Sequence, residues 1–220
     1  TYTTEELGAA VHEAHNFHRL TAAHCRAKES MVRAVHAGID LMEHAEFLDP
    51  DDQIRFDPEL AQMMAESGIW ISPTLQALTR YQTILHFKKK REMGSISSAE
   101  EKELHTLEEN AELRLDIVRR MLEYGVRDRI VPGTDSGVSN LRFGHLDYDL
   151  QLLTLTGFTP GEALVAATRI SAEAAGLSDQ IGTIEPGKVA DLVAFDGDPT
   201  KDVEAFSRVV AVFQSGQRVK

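Results

Sequence analysis

The sequence predicts an α/β fold, a parallel sheet crossed by helices and followed by a small β annex. Short apolar runs of strand length alternate with capped amphipathic helices over most of the chain. Parallel strands need long crossover connections, and those helices supply them. From about Gly182 the texture changes to closely spaced strands and turns with no helical pattern between them.

Thr3 and Glu6 read as a capping box, opening a helix with Leu7, Ala10, Val11 and Ala14 on one face. Residues 19–24 read as a first buried strand, and residues 27–37 as a helix that Gly38 ends. The second strand is 40–44. Asp57 caps the next helix, with Pro58 at its first position and Gly68 at its end. Residues 69–72 form a third strand, stopped by Pro73. A longer excursion follows, in which the basic run 88–91 reads as a solvated helix face. Ser98 and Glu101 form a second capping box, for a helix turning Leu104, Leu107, Ala111, Leu115 and Val118 inward and closing at Gly125. Residues 130–131 begin a fourth strand. Thr159 and Glu162 make a third box, opening an Ala-rich helix to Ala175. In the annex, 190–195 and 209–213 are strands, and Ser215-Gly216-Gln217 turns into a last one at 218–219.

Composition narrows the function. Lys and Arg number 23 against 35 Asp and Glu, a net charge of -12 over 220 residues. Such a surface repels phosphate backbones and anionic lipid, so nucleic acid and membrane are not expected partners. A hydrophobic fraction of 42% supplies a core and excludes disorder over most of the chain. The single cysteine, Cys25, excludes an internal disulfide framework and fits a cytoplasmic location. No apolar run approaches the ~18 residues of a membrane span.

In parallel α/β sheets chemistry gathers at the carboxyl ends of strands. Three polar residues stand at predicted strand ends: His24, His44 and Asp135. Each alone reads more readily as a satisfied core or rim residue. Together they offer imidazole nitrogen and carboxylate oxygen, the donors of Zn²⁺ and similar divalent ions. Other motifs fail. His12-Glu13-Ala14-His15 is one residue short of HExxH and reads as a polar helix face. Residues 182–188 match most of a P-loop, but Val189 stands where Ser or Thr must reach Mg²⁺, and a strand follows instead of a helix. Cys25 adjoins His24, but neighbours on a strand point to opposite faces, so it reads as a buried structural thiol.

The runs Thr21-Ala22-Ala23-His24, Gly38-Ile39-Asp40-Leu41-Met42-Glu43-His44 and Pro132-Gly133-Thr134-Asp135-Ser136 resemble the metal-dependent amidohydrolase superfamily, closest to its imidazolonepropionase-like and Xaa-Pro dipeptidase-like branch. The tail agrees, with Thr159-Pro160-Gly161-Glu162-Ala163-Leu164 and the structural block 182–193. The resemblance implies the C-terminal half of a (β/α)8 TIM-type barrel, strands five to eight, over 1–180, followed by strands of a small β-sandwich over 181–220. A whole barrel takes ~250 residues. The family's first-strand HxH pair and fourth-strand lysine have no counterpart here, and the chain opens on Thr1. The chain is therefore expected to be a piece of a longer protein.

Carried over, the roles make His24, His44 and Asp135 metal ligands, with Asp135 also the catalytic base. The ligand set implies a divalent metal, Zn²⁺ first, as one or two ions. The activity implied is hydrolysis of an amide-type C–N bond in a small molecule or dipeptide. Tyr81, Arg142 and His145, with Thr74 and Arg80, fall in loops after strand ends and are candidates for holding substrate. A half-barrel exposes strand edges, so a homo-oligomer or pairing with the missing N-terminal half is expected. The alternative is a catalytically incompetent fragment or a non-catalytic β/α binding module.

Overall fold

Thr3 accepts from the amide of Glu6, whose carboxylate returns to the Thr3 amide, and this box opens helix α1, Thr4–Asn16. The computed structural model describes residues 2–138 and 141–220. Strand β1 spans Ala22–Ala27, and helix α2, Lys28–Ala37, leads back to strand β2, Leu41–Leu48. Gly38 ends α2 with φ of 78°, a left-handed conformation that costs a residue without Cβ nothing. β1 starts later than the expected 19–24. Asp40 explains the shift: its Oδ2 accepts from both the amide and hydroxyl of Thr21 and meets His15 Nε2, tying the chain down before the ladder begins.

Asp57 caps helix α3, Pro58–Ser67, as expected, and strand β3, Trp70–Ser72, follows. β1, β2 and β3 pair in parallel in that order. The fourth strand expected at 130–131 is only a single parallel bridge, Ile71 to Ile130, with Val131 N–H donating to Ile71 O. Beyond it the segment runs close against β3. A Cβ on Gly133 would stand 2.4 Å from Ser72 Oγ, so only glycine permits that approach.

The excursion is a short helix α4, Leu75–Thr79, then α5, Tyr81–Glu92, and the long α6, Ser98–Leu122. The cap of α6 is Ser97 with Glu100, one residue before the expected pair. Ser97-Glu100 and Ser98-Glu101 both satisfy the spacing, and Ser97 is the one with extended backbone. The tip of this hairpin has a small core of its own, Ile84, Phe87, Leu104, Leu107 and Ala111. The main core packs β2, α3 and the base of α6 around Met42, Phe47, Met64 and Met121.

Helix α7 is Leu146–Thr154, and Thr159 with Glu162 caps α8, Pro160–Val165. The Ala-rich helix expected to run unbroken to Ala175 contains a π-helical turn, Ala166–Ile170, before α9, Ser171–Ala174. Ser171 Oγ donates to Ala166 O within that turn. The annex is a separate antiparallel sheet of β4 (Leu192–Phe195), β5 (Val209–Gln214) and β6 (Gln217–Arg218). Among the described residues no helix is long and apolar enough to cross a membrane.

Candidate functional site

The alternation of β1 sets the first side chain. Cys25 turns inward, 2% exposed, its Sγ–H donating to Ser30 O, and burial pushes its thiol up to about 11 against a weaker pull from the Ser30 side chain, which leaves little reactive thiolate. His24 therefore turns to the other face, toward β2. There His24 Nδ1 lies 2.8 Å from His44 Nε2, with the rings stacked 5.0 Å apart. The other ring nitrogen of His44, Nδ1, is 2.8 Å from Thr74 Oγ1. Thr74, grouped in sequence with substrate-selecting loop residues, is instead buried and holds the His44 ring.

His24, His44 and Asp135 line one cavity of about 420 Å³, together with Glu43, Ser72, Thr74 and Ser171. The backbone around it is unusual. His44, Ala45, Thr74 and Asp135 have φ of 72°, 48°, 44° and 47°, left-handed conformations at positions without glycine. Such residues persist only where the surroundings over-determine them, and they gather at functional sites. Burial, with His24 acting in the same direction, holds His44 below the usual imidazole range and outweighs the pull of Asp135. A neutral imidazole is the form that ligates a metal.

The donor chemistry fits a divalent ion. Two nitrogens on one tetrahedral Zn²⁺ lie about 3.3 Å apart, and the two imidazole nitrogens here, at 2.8 Å, need only a slight opening. Asp135 faces the same cavity, but among the described residues no three His, Cys, Asp or Glu side chains are grouped closely enough to hold an ion. The histidine pair is assembled; Asp135 lines the same cavity without joining it.

Tyr81, Arg142 and His145 do not line this cavity. His145 stacks on Tyr148 at 4.9 Å, and Tyr148 meets Tyr81 edge-on at 5.7 Å. Arg142 is exposed, its amide donating to Gln82 Oε1. Three of these, His145, Tyr148 and Tyr81, thus form one aromatic group beside the loop that follows Asp135. Tyr148 escaped the sequence reading, although its i,i+3 spacing from His145 at a helix start was a usable signal. Glu46 and Arg114 also escaped it. Glu46 Oε1 accepts from Arg114 Nη1 and Oε2 from Arg26 Nε, and the two carry no spacing that would link them.

Residues 1–219 match the amidohydrolase family. In sequence the chain is similar to the ochratoxinase of Aspergillus niger, 27% identical over 212 residues that cover 96% of this chain and 39% of the relative. It is also similar to the imidazolonepropionase of Shouchella clausii, 36% identical over 105 residues, 46% of this chain and 23% of that one. In structure it is similar to a Xaa-Pro dipeptidase crystallised with methionine in its active site. That match has a TM-score of 0.76 and 27% identity, covering all of this chain and 49% of the other. The chain thus spans less than half the length of each of these relatives.

Proposed function

The chain belongs to the amidohydrolase family, and on that premise we propose that it serves metal-dependent hydrolysis of an amide-type C–N bond in a small molecule or dipeptide. The observation that carries this is the convergence of His24 Nδ1 and His44 Nε2 in a cavity that Asp135 also lines.

In this reading His24 and His44 hold a divalent ion, Zn²⁺ or a similar one, from adjacent parallel strands. A bound divalent ion supplies Lewis acidity, lowering the pKa of water from about 15.7 to about 7 and polarising the scissile carbonyl. The Asp135 carboxylate takes the proton of the attacking water and returns it to the leaving amine nitrogen. Thr74 keeps the His44 ring oriented, the part that the second ring nitrogen of a ligating histidine usually plays with a neighbouring acceptor. His145, Tyr148 and Tyr81, with Arg142 beside them, offer an aromatic and cationic surface for the substrate's side chain or carboxylate. In this reading β1, β2, β3 and the segment bridged at Ile130 correspond to the second half of a (β/α)8 barrel.

Zn²⁺ titration of the metal-free chain tests the reading. It should show stoichiometric binding that falls at least tenfold in His24→Ala and in His44→Ala. Binding unaffected by either substitution would sink the metal centre and leave the non-catalytic binding module.

A further inference from the structure

An ionic group joins His44 to the long helix α6, and the hydrolytic chemistry above makes no use of it. β1 and β2 keep register only as far as the pair Cys25 and His44; the next pairing is Ala27 with Leu48. Ala45, Glu46 and Phe47 therefore form a bulge opposite Arg26. Three residues in that stretch, His44, Ala45 and Phe47, have left-handed φ of 72°, 48° and 55°. A run of this kind relaxes toward ordinary strand geometry unless its side chains are fixed. Relaxation by one residue turns every side chain to the opposite face, which would carry His44 away from His24.

Two anchors fix it. Phe47 is fully buried, stacked on Phe56 at 5.2 Å. The other is Glu46, 3% exposed, whose two carboxylate oxygens are divided between Arg26 of β1 and Arg114 of α6. The two arginines are not equivalent. The Arg26 side chain is 60% exposed and that of Arg114 17%. The Nε of Arg114 is buried with no hydrogen-bond partner among the described residues, so its one anchoring bond is to Glu46. His44, Glu46 and Arg114 also enclose, with Leu75 and Val118, a gap of only about 10 Å³.

We propose that Arg114 is a positioning residue for His44, acting through Glu46. The helical hairpin of α5 and α6, otherwise remote from the cavity, thereby sets the angle at which the second imidazole faces the first. Arg26, solvated and on the neighbouring strand, is the weaker of the two clamps.

This rests on the reading of His44 as a site residue but not on metal binding, so the test is made on the metal-free full chain. The ¹⁵N shifts of the His24 and His44 rings report their mutual hydrogen bond and tautomers. Arg114→Met should move both sets of ring signals, Arg114→Lys should restore them, and Arg26→Met should move them less. Zn²⁺ affinity should fall about tenfold in Arg114→Met and recover in Arg114→Lys. Ring signals identical to wild type in a folded Arg114→Met chain would overturn the proposal. Should that variant fail to fold, Glu46→Gln carries the same readout, and unchanged rings there overturn it equally. A wild-type chain that binds no Zn²⁺ removes the metal reading and leaves the ring shifts to decide this one.

Discussion

Two carboxyl groups lie buried near the carboxyl ends of the parallel strands, Glu46 in the bulge of β2 and Asp149 where α7 meets α4, and they respond to burial in opposite senses. Burial pushes both upward. At Glu46 the hydrogen bond from Arg26 and the charge of Arg114 more than reverse this, and the carboxylate is held below its usual range. Asp149 has no such counter-charge. Its Oδ1 accepts from the main-chain N–H of Leu75, its Oδ2 has no partner among the described residues, and burial pushes it up to about 8 against the weaker pull of the Leu75 and Gln76 amides. Amide dipoles satisfy a lone pair; they do not replace a buried cation. One region therefore stores an ion group and the other an uncharged acid.

The strongest way to break this comparison is to remove the carboxylate from the ionic region. Glu46→Leu leaves Arg114 buried without an anion and should cost ~3–5 kcal/mol of stability, measured by urea unfolding. Adding Arg114→Met should recover most of that loss, because a buried pair replaced by apolar side chains is close to neutral. A single variant within ~1 kcal/mol of wild type would show that Glu46 is not the buried partner of Arg114.

The comparison sharpens at Asp149 through pH. The unfolded chain gives up this proton near 3.8 and the folded chain near 8, so between those values the folded state binds more protons. The contribution of Asp149 to stability then falls as pH rises, by ~1.4 kcal/mol per unit, and levels off above about 8. Asp149→Asn removes the slope, and its gain over wild type should be ~3 kcal/mol larger at about pH 7 than at about pH 5. Glu46 acts in the opposite direction. Its contribution is present above the ordinary glutamate value of 4.5 and is lost as pH falls through the depressed one. A gain for Asp149→Asn that does not change between about pH 5 and pH 7 would mean that Asp149 is ionised and the contrast is false.

Neither region was readable from the sequence, and the reason is physical. What could be read was local. The boxes at Thr3 and Thr159, the ends at Gly38 and Gly68, and the alternation of strand and helix all depend on residues within a few positions of one another. That His24, His44 and Asp135 face one cavity was readable because neighbouring parallel strands carry successive segments to the same rim, although His24 and His44 stand within β1 and β2 and not at the strand ends expected. The Glu46–Arg114 pair joins residues 68 apart on elements whose packing no periodicity specifies. The bulge was hidden for a second reason. Left-handed backbone is signalled by glycine or asparagine, and here His44, Ala45 and Phe47 adopt it. Asp135 adopts it as well, with no glycine or asparagine to signal it.

The smallest effect is expected at the residue that joins the two regions. Thr74 reaches His44 Nδ1 with its hydroxyl, and the next amide along, that of Leu75, is the one Asp149 holds at 3.1 Å. Thr74 has φ of 44°, and valine is branched at Cβ in the same way, so Thr74→Val keeps the backbone strain and removes the hydrogen bond alone. The cost should be ~1 kcal/mol, the worth of one buried bond. The informative quantity is the double-mutant cycle with Asp149→Ala, which removes the acceptor of the Leu75 amide and in which independent sites would add to within ~0.5 kcal/mol. If Asp149 fixes the start of α4 so that Thr74 can hold the His44 ring, the two losses should overlap and their sum should exceed the double variant. Simple additivity would mean that the neutral acid steadies α4 for its own sake, and that the orientation of His44 is set from the ionic side alone.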